Sequence, residues 1–357
     1  MSKVLMKGNE AIGEAAIRAG CLNYFAYPIT PQSEVAEYLS RRMPEVGGVF
    51  LQGESEVAVG YMIFGAAGCG ARVFTTSSSP GISLMSEALS YITCAQCPAV
   101  FVNIMRGGPG LGGILPSQGD YFQATKGGGH GDYRLFVMAP ASVQEAVEMV
   151  MEAFPIAEKY RNPVMILGDG LIGQMMEPVE FPDSLVSEPS NKDEWATTGM
   201  ENRSDNTPNL VKSLFLDPVQ LNSHNLLLKD KYARMKRKEV RYEAYNTDGD
   251  YRALIVSYGT MSRVCRTAID FMKEEGLEIA MIRPKTLFPF PEEAIREAAE
   301  KDSCRVAISI EMSMGQMVED VERSVRGGCP VEWYGKCGGE VPTPEEIMEV
   351  VRGMLDT

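Results

Sequence analysis

Residues 27–34, Tyr-Pro-Ile-Thr-Pro-Gln-Ser-Glu, join a short apolar extended stretch to a helix, and this junction restricts what the chain can become. Residues 24–27 read as a strand that stops at Pro28. Thr30 then suits a helix N-cap, Pro31 the first helical position and Glu34 the first turn. Such a helix start points free backbone N–H groups and a partial positive charge at whatever lies in front of it. Residues 53–56, Gly-Glu-Ser-Glu, open the next helix with two carboxylates before the sequence turns apolar over 57–67. A carboxyl held there in an apolar cleft has a raised pKa and can handle protons near neutral pH.

The same strand-then-helix step repeats through residues 1–180, the pattern of a parallel α/β sheet. Helices are expected at 9–19, 33–42, 55–67, 83–94 and 142–159, the last opened by the capping box Ser142-Val-Gln-Glu145. Strands are expected at 24–27, 72–76, 99–105 and 164–167. The second of these ends at Ser79-Pro80-Gly81, read as another N-cap with proline behind it. Periodicity dissolves over 181–249, a bridging segment in which 224–245 reads as a helix carrying Lys229, Lys231, Arg234, Lys236, Arg237, Lys238 and Arg241. That helix face reads as solvated, with docking to an acidic partner as the alternative. From 250 to 357 a second, smaller α/β unit follows. Its expected strands are 253–257, 277–282 and 306–310, and its expected helices are 262–275, 291–299 and 315–325.

A chain of 357 residues accommodates both units, each with its own core. A net charge of −14 argues against nucleic acid and anionic membranes as partners. Residues 88–105 carry no charge, yet Gln96, Pro98 and Asn103 make a buried helix followed by a strand the better reading than a membrane span. The amino terminus has no signal-peptide pattern, so the expected location is cytoplasmic. Of eight cysteines, Cys94 and Cys97 alone approach an iron–sulfur spacing, and no second pair accompanies them. Two buried thiols are the expectation.

Three segments together, YPITPQSE, GESEVAVGYMIFGAAGCGARVFTTSSSPG and VFVNIMRGGPG, resemble the α-type subunit of the 2-oxoacid:ferredoxin oxidoreductases, thiamine diphosphate enzymes. The resemblance extends to IRPKTLFPFP and EMSMGQMVEDVE, so it covers essentially the whole chain. Among the branches it is most similar to the 3-methyl-2-oxobutanoate type. It implies a pyrimidine-binding domain over 1–180 and a transketolase C-terminal-like domain over 250–357. It also implies a β subunit that binds the diphosphate and its magnesium, with a γ subunit and a ferredoxin-like subunit carrying the iron–sulfur clusters. Coenzyme A, ferredoxin and a 2-oxo acid are the implied reactants.

For the cofactor to act, its thiazolium C2 must lose a proton, and in the family a carboxylic acid bonded to the aminopyrimidine ring promotes this. Glu54 and Glu56 lie two apart and cannot share a helix face. The family spacing to Thr75-Thr76-Ser77-Ser78-Ser79-Pro80-Gly81 selects Glu56 as catalytic. The resemblance also implies cofactor contact at Pro28 and substrate contact at Thr30 and Arg106. An arginine just past strand 99–105 can hold a carboxylate through two parallel hydrogen bonds.

Other motifs are discounted. Gly108-Pro-Gly110-Leu-Gly112-Gly113 has dinucleotide-fold spacing, but Leu115-Pro116 stands where the helix should begin. A loop over the active site is expected there and at Gly127–Gly129, where His130 is mobile. Gly168-Asp169-Gly170 lacks the downstream asparagine of a metal motif. Glu311 and Gln316 are assigned by resemblance to a subunit contact. The preferred function is oxidative decarboxylation of a branched 2-oxo acid to acyl-CoA. The alternatives are a 2-oxoglutarate enzyme, with Lys126 or Arg134 holding the second carboxylate, and a non-catalytic assembly subunit.

Overall fold

Four six-residue runs, Val100–Met105, Val164–Asp169, Ile279–Pro284 and Val306–Glu311, are buried at every position, as strands covered on both faces must be. They form the centres of two sheets. The computed structural model describes residues 3–182, 191–199 and 207–356. In chain order the elements begin β1 (Val4–Lys7), α1 (Gly8–Arg18), β2 (Asn23–Ala26), α2 (Ser33–Glu45), β3 (Val49–Gln52), α3 (Glu56–Gly68) and β4 (Phe74–Ser77). They continue α4 (Ser79–Cys94), β5 (Val100–Met105), α5 (Tyr121–Thr125), β6 (Phe136–Met138), α6 (Val143–Tyr160) and β7 (Val164–Asp169). Then come α7 (Gly170–Gln174), β8 (Met176–Val179), α8 (Pro218–Lys238), β9 (Tyr242–Tyr245), β10 (Ala253–Val256) and α9 (Gly259–Glu274). The last are β11 (Ile279–Pro284), β12 (Thr286–Phe288), α10 (Glu292–Ala299), β13 (Val306–Glu311), α11 (Met317–Val325), β14 (Val331–Gly335) and α12 (Pro344–Asp356).

The larger sheet has seven strands in the order β12-β6-β7-β5-β4-β2-β3, all parallel except β12 against β6. The smaller has five in the order β14-β13-β10-β11-β9, with β9 antiparallel. β1 and β8 make a separate antiparallel pair. The α/β fold class is therefore as expected.

Several local expectations need correction. Thr30 is not an N-cap, because α2 starts at Ser33 behind Gln32. The Gln32 N–H turns back to the Ile29 carbonyl. The Pro31 carbonyl is occupied by the side-chain amides of Asn9 and Gln174, at 2.8 and 3.0 Å. These contacts hold 30–32 as a turn. α4 begins at Ser79, with Ser78 as its N-cap, because Pro80 is tolerated in a first turn that needs no N–H from it. The helix expected over 224–245 is α8, which ends at Lys238, and β9 follows it. Its basic face is not wholly solvated: Lys231 is buried with Nζ donating to the Arg161 carbonyl at 2.9 Å, and burial pulls its pKa down to about 7. Of the bridge, residues 183–190 and 200–206 lie outside those described.

The two sheets are joined by buried polar contacts. Asp169 caps α7 through the N–H groups of Leu171 and Ile172, and it also accepts from the Thr260 hydroxyl at 3.0 Å. Gln118 donates to the Tyr258 carbonyl and accepts from the Met312 N–H, both at 2.9 Å. Glu145 receives Arg283 through two hydrogen bonds of 2.8 and 2.7 Å. β12 itself crosses over to complete the larger sheet.

Candidate functional site

Ser55 caps α3 through the Ala58 N–H, which makes Glu56 the first helical residue and turns it inward while Glu54 stays exposed. Glu56 is only 7 % exposed. Its carboxylate lies against Gly81 at the start of α4, where an added Cβ would stand 2.9 Å from Glu56 Oε1 and 2.1 Å from Ser77 Oγ. Gly81 is glycine because that space is already taken. Among the described residues the Glu56 carboxylate takes part in no ion pair and no hydrogen bond.

Ser77 Oγ, which shares the Gly81 surroundings with Glu56, is buried without a partner. Thr75 Oγ1, on the same face of β4, and Ser78 Oγ are also buried without a partner. Thr76, on the other face, meets Tyr24 OH at 2.7 Å and donates to Gln32 Oε1, leaving Gln32 Nε2 unsatisfied. Native structures pair nearly all buried polar groups. A run of orphaned hydroxyls along 75–78, with Ser77 Oγ beside an unpaired carboxylate, fits a bound polar heterocycle, and an aminopyrimidine ring supplies both donors and acceptors.

Arg106 follows β5 and is 8 % exposed. Its Nη1 donates to the Thr30 carbonyl at 2.8 Å and its Nη2 to the Leu111 carbonyl at 3.0 Å, while Nε is buried with no acceptor. No carboxylate pairs with it among the described residues. Arg106 thus clasps the 27–32 turn and the glycine loop together. Both Thr30 and Pro28 lie exposed in that turn. The glycine loop closes on itself through Gly113 N–H to the Gly107 carbonyl at 2.8 Å. Gly112 at φ +61°, with a Cβ position 1.8 Å from that carbonyl, admits no side chain.

Arg106 borders a cleft of ≈ 730 Å³ that also meets Ser79, Asp120 and Gln123 and, from the loops after β13 and β14, Ser313, Met314 and Cys337. Asp120 is a residue that sequence reading missed, since nothing around Gly119-Asp120 marks it. Burial raises its pKa, while the Ser79 hydroxyl and the Asn103 amide donate to Oδ2 at 2.6 and 2.9 Å. Ser79 Oγ also accepts the Arg106 N–H at 3.0 Å. The segment 77–81 therefore abuts Glu56 at Gly81 and bonds Arg106 at Ser79.

Other candidates fall elsewhere. His130 is exposed, stands edge-on to Tyr91 and borders a different pocket. Cys97 is buried with its thiol pushed up to about 12 by burial, and Cys94 is half-buried. Glu311 does not face outward. It is fully buried and accepts from the hydroxyls of Ser309 and Ser313 and from three N–H groups at 316–318, which shapes the entry to α11. Gln316 likewise bonds within the chain, to Phe122 and Gly119. Lys126 and Arg134 do not line the Arg106 cleft: Lys126 pairs with Asp320, and Arg134 donates to the carbonyls of Lys126 and Tyr133.

Comparison with known proteins agrees with this architecture. Residues 252–347 match the pyruvate:ferredoxin oxidoreductase core domain II. The ketoisovalerate oxidoreductase subunit VorB of Methanothermobacter thermautotrophicus is 49 % identical over 352 residues, 99 % of this chain and 98 % of that protein. The 2-oxoglutarate synthase subunit KorA of Archaeoglobus fulgidus is 37 % identical over 360 residues, 99 % of this chain and all of that one. A solved 2-oxoglutarate:ferredoxin oxidoreductase from Magnetococcus marinus, with 2-oxoglutarate, coenzyme A and succinyl-CoA bound, superposes with a TM-score of 0.86 at 27 % identity. That match covers 99 % of this chain and 65 % of the longer one. A split-gene transketolase shares the fold at a TM-score of 0.61 and 15 % identity. No helix among the described residues is long and apolar enough to cross a membrane. With residues 14–242 matching the pyruvate flavodoxin/ferredoxin oxidoreductase thiamine diphosphate-binding domain, the chain belongs to that oxidoreductase family.

Proposed function

We propose that this chain is the pyrimidine-binding subunit of a cytoplasmic, heteromeric 2-oxoacid:ferredoxin oxidoreductase. In this reading it oxidatively decarboxylates 3-methyl-2-oxobutanoate to the acyl-CoA and CO2. The observation that carries the reading is the buried, unpartnered Glu56 carboxylate beside the orphaned Ser77 hydroxyl, in a chain 49 % identical to a ketoisovalerate oxidoreductase subunit. The proposed working units are 1–180 and 250–357, bridged by 181–249.

Glu56, itself buried, would hold a proton against the aminopyrimidine ring. When bound, thiamine diphosphate supplies the nucleophilic carbon that attacks the 2-oxo group. Pro28 would pack on the cofactor from the exposed turn. Arg106 Nε is the free donor for the substrate carboxylate, with Thr30 beside it. The diphosphate and its magnesium belong on a β subunit. The iron–sulfur clusters belong on the γ and ferredoxin-like subunits, which pass electrons to ferredoxin.

The 2-oxoglutarate alternative, supported by the KorA relatives, needs a second cation for the distal carboxylate. Among the described residues lining the cleft, Arg106 is the one cation, and Pro80, Pro109 and Met314 present apolar surface. A branched apolar chain suits that lining better. The deciding experiment is coenzyme-A-dependent viologen reduction by the anaerobically purified complex, given 3-methyl-2-oxobutanoate, pyruvate and 2-oxoglutarate separately. Branched-chain turnover that vanishes in Glu56→Gln is expected. Turnover of 2-oxoglutarate alone would overturn the substrate, and undiminished Glu56→Gln turnover would restore the assembly-subunit alternative.

A further inference from the structure

Four basic residues that the active cleft does not use converge elsewhere. Lys126 and Arg134, together with Lys236 of α8 and Arg323 of α11, line a second pocket of ≈ 200 Å³. Four formal positive charges meet two carboxylates there, Asp320 and Glu292, in a chain whose net charge is −14. Asp320 is consumed by Lys126 at 2.6 Å, Arg323 at 3.0 Å and Tyr121 OH at 2.6 Å. Glu292 pairs with Arg323 at 2.8 Å and stands 3.9 Å from Lys236. Arg134 donates to backbone carbonyls only. The side chains of Lys236 and Arg323 remain half exposed, so their heads are open to a solute.

The lining adds a second, independent observation. Tyr232, another wall residue, is 8 % exposed and its hydroxyl is buried without a hydrogen bond. Leu287, Phe288 and Phe290 supply an apolar wall, and the Lys236 ammonium lies 6.0 Å from the Phe288 ring centre. Low-dielectric walls strengthen the field of the cations they flank. The pocket has room for a tetrahedral oxyanion of phosphate size.

We propose that this pocket binds a compact dianion of the phosphate class, separately from the Arg106 cleft. Arg134 and Lys236 would be its principal donors and the Tyr232 hydroxyl a neutral one. The pocket is mechanically joined to the cleft. α5 starts behind Asp120 at the cleft and leads into Lys126 at the pocket, and Gln316, which bonds the Phe122 N–H, precedes the helix that carries Asp320 and Arg323.

The test is calorimetric titration of inorganic phosphate, and separately of malonate, into the intact complex presaturated with thiamine diphosphate. Three versions are compared: wild type, Arg134→Gln/Lys236→Gln, and Lys229→Gln as an exposed charge-loss control on the same helix. Phosphate is expected to bind the wild type and the Lys229→Gln protein alike, with affinity at least about tenfold weaker in the double variant, the loss of one charge-assisted contact. Near-ultraviolet circular dichroism should be the same for all three. Absence of phosphate binding to the wild type would overturn the proposal. So would equal binding by the double variant, or equal weakening in Lys229→Gln. Tighter binding of malonate than phosphate would overturn the phosphate class.

Discussion

At the residue scale, Glu56 and Gly81 form one steric unit. In Gly81→Ala the methyl would fall where Glu56 Oε1 and Ser77 Oγ already stand, so the carboxylate must move. A shift of about 1 Å at a reacting group costs on the order of hundredfold in rate. We expect kcat of the reconstituted complex to fall by about that factor with the fold intact; unchanged kcat would show that Glu56 is not poised for chemistry. In Glu56→Gln the proposed acid itself is gone, and a loss of about 10²- to 10⁴-fold is expected. For Arg106→Gln, losing charge-assisted contacts of about 1.5–3 kcal/mol lowers kcat/KM for the 2-oxo acid by about ten- to hundredfold. A wild-type value would remove Arg106 from substrate binding. Of this site, Glu56 and Arg106 were legible through the family resemblance, which fell on the start of α3 and the end of β5. Asp120 was not, since its place depends on Ser79 and Asn103, which are 41 and 17 residues away.

At the element scale, α6 and β11 are held by Glu145 and Arg283. Burial opposes ionisation of Glu145, but Arg283 and Lys285 outweigh it and hold its pKa at about 2. A depressed carboxylate pKa contributes stability that is fully present above its unfolded value of about 4.5 and lost as pH falls through about 2. Glu145→Gln should therefore unfold at a lower temperature than wild type at pH 7, by the equivalent of about 3 kcal/mol. The difference should shrink steadily below about pH 4.5. A gap independent of pH would mean the loss is packing, not charge. The capping-box pattern located α6 correctly, with Ser142 accepting from the Glu145 N–H at 3.1 Å. The carboxylate of Glu145, however, reaches the Ala141 N–H and Arg283. β9 was hidden because the basic run at 234–241 continues a helical charge pattern into a stretch that pairs with β11.

At the scale of the whole molecule, the cleft draws walls from both units, and in the proposed reading the chain provides a carboxylate for one half of the cofactor alone. Purified by itself, it should not decarboxylate any 2-oxo acid, even with thiamine diphosphate and magnesium added. Measurable CO2 release from the isolated chain would contradict the divided site. Adding the partner subunits should restore turnover in proportion to complex formed.

Family resemblance singled out Glu56 and Arg106, while local pattern was enough to establish the α/β class and most strand and helix positions. Those conclusions depend on periodicity, capping and proline chemistry, which act within a few residues. The turn at Thr30, the inward role of Glu311 and the capture of β12 by the larger sheet came from contacts between residues far apart in sequence. So did the gathering of Lys126, Arg134, Lys236 and Arg323 in one pocket. Such contacts are set by how whole elements pack, because a buried polar group takes whichever partner the packing brings within reach.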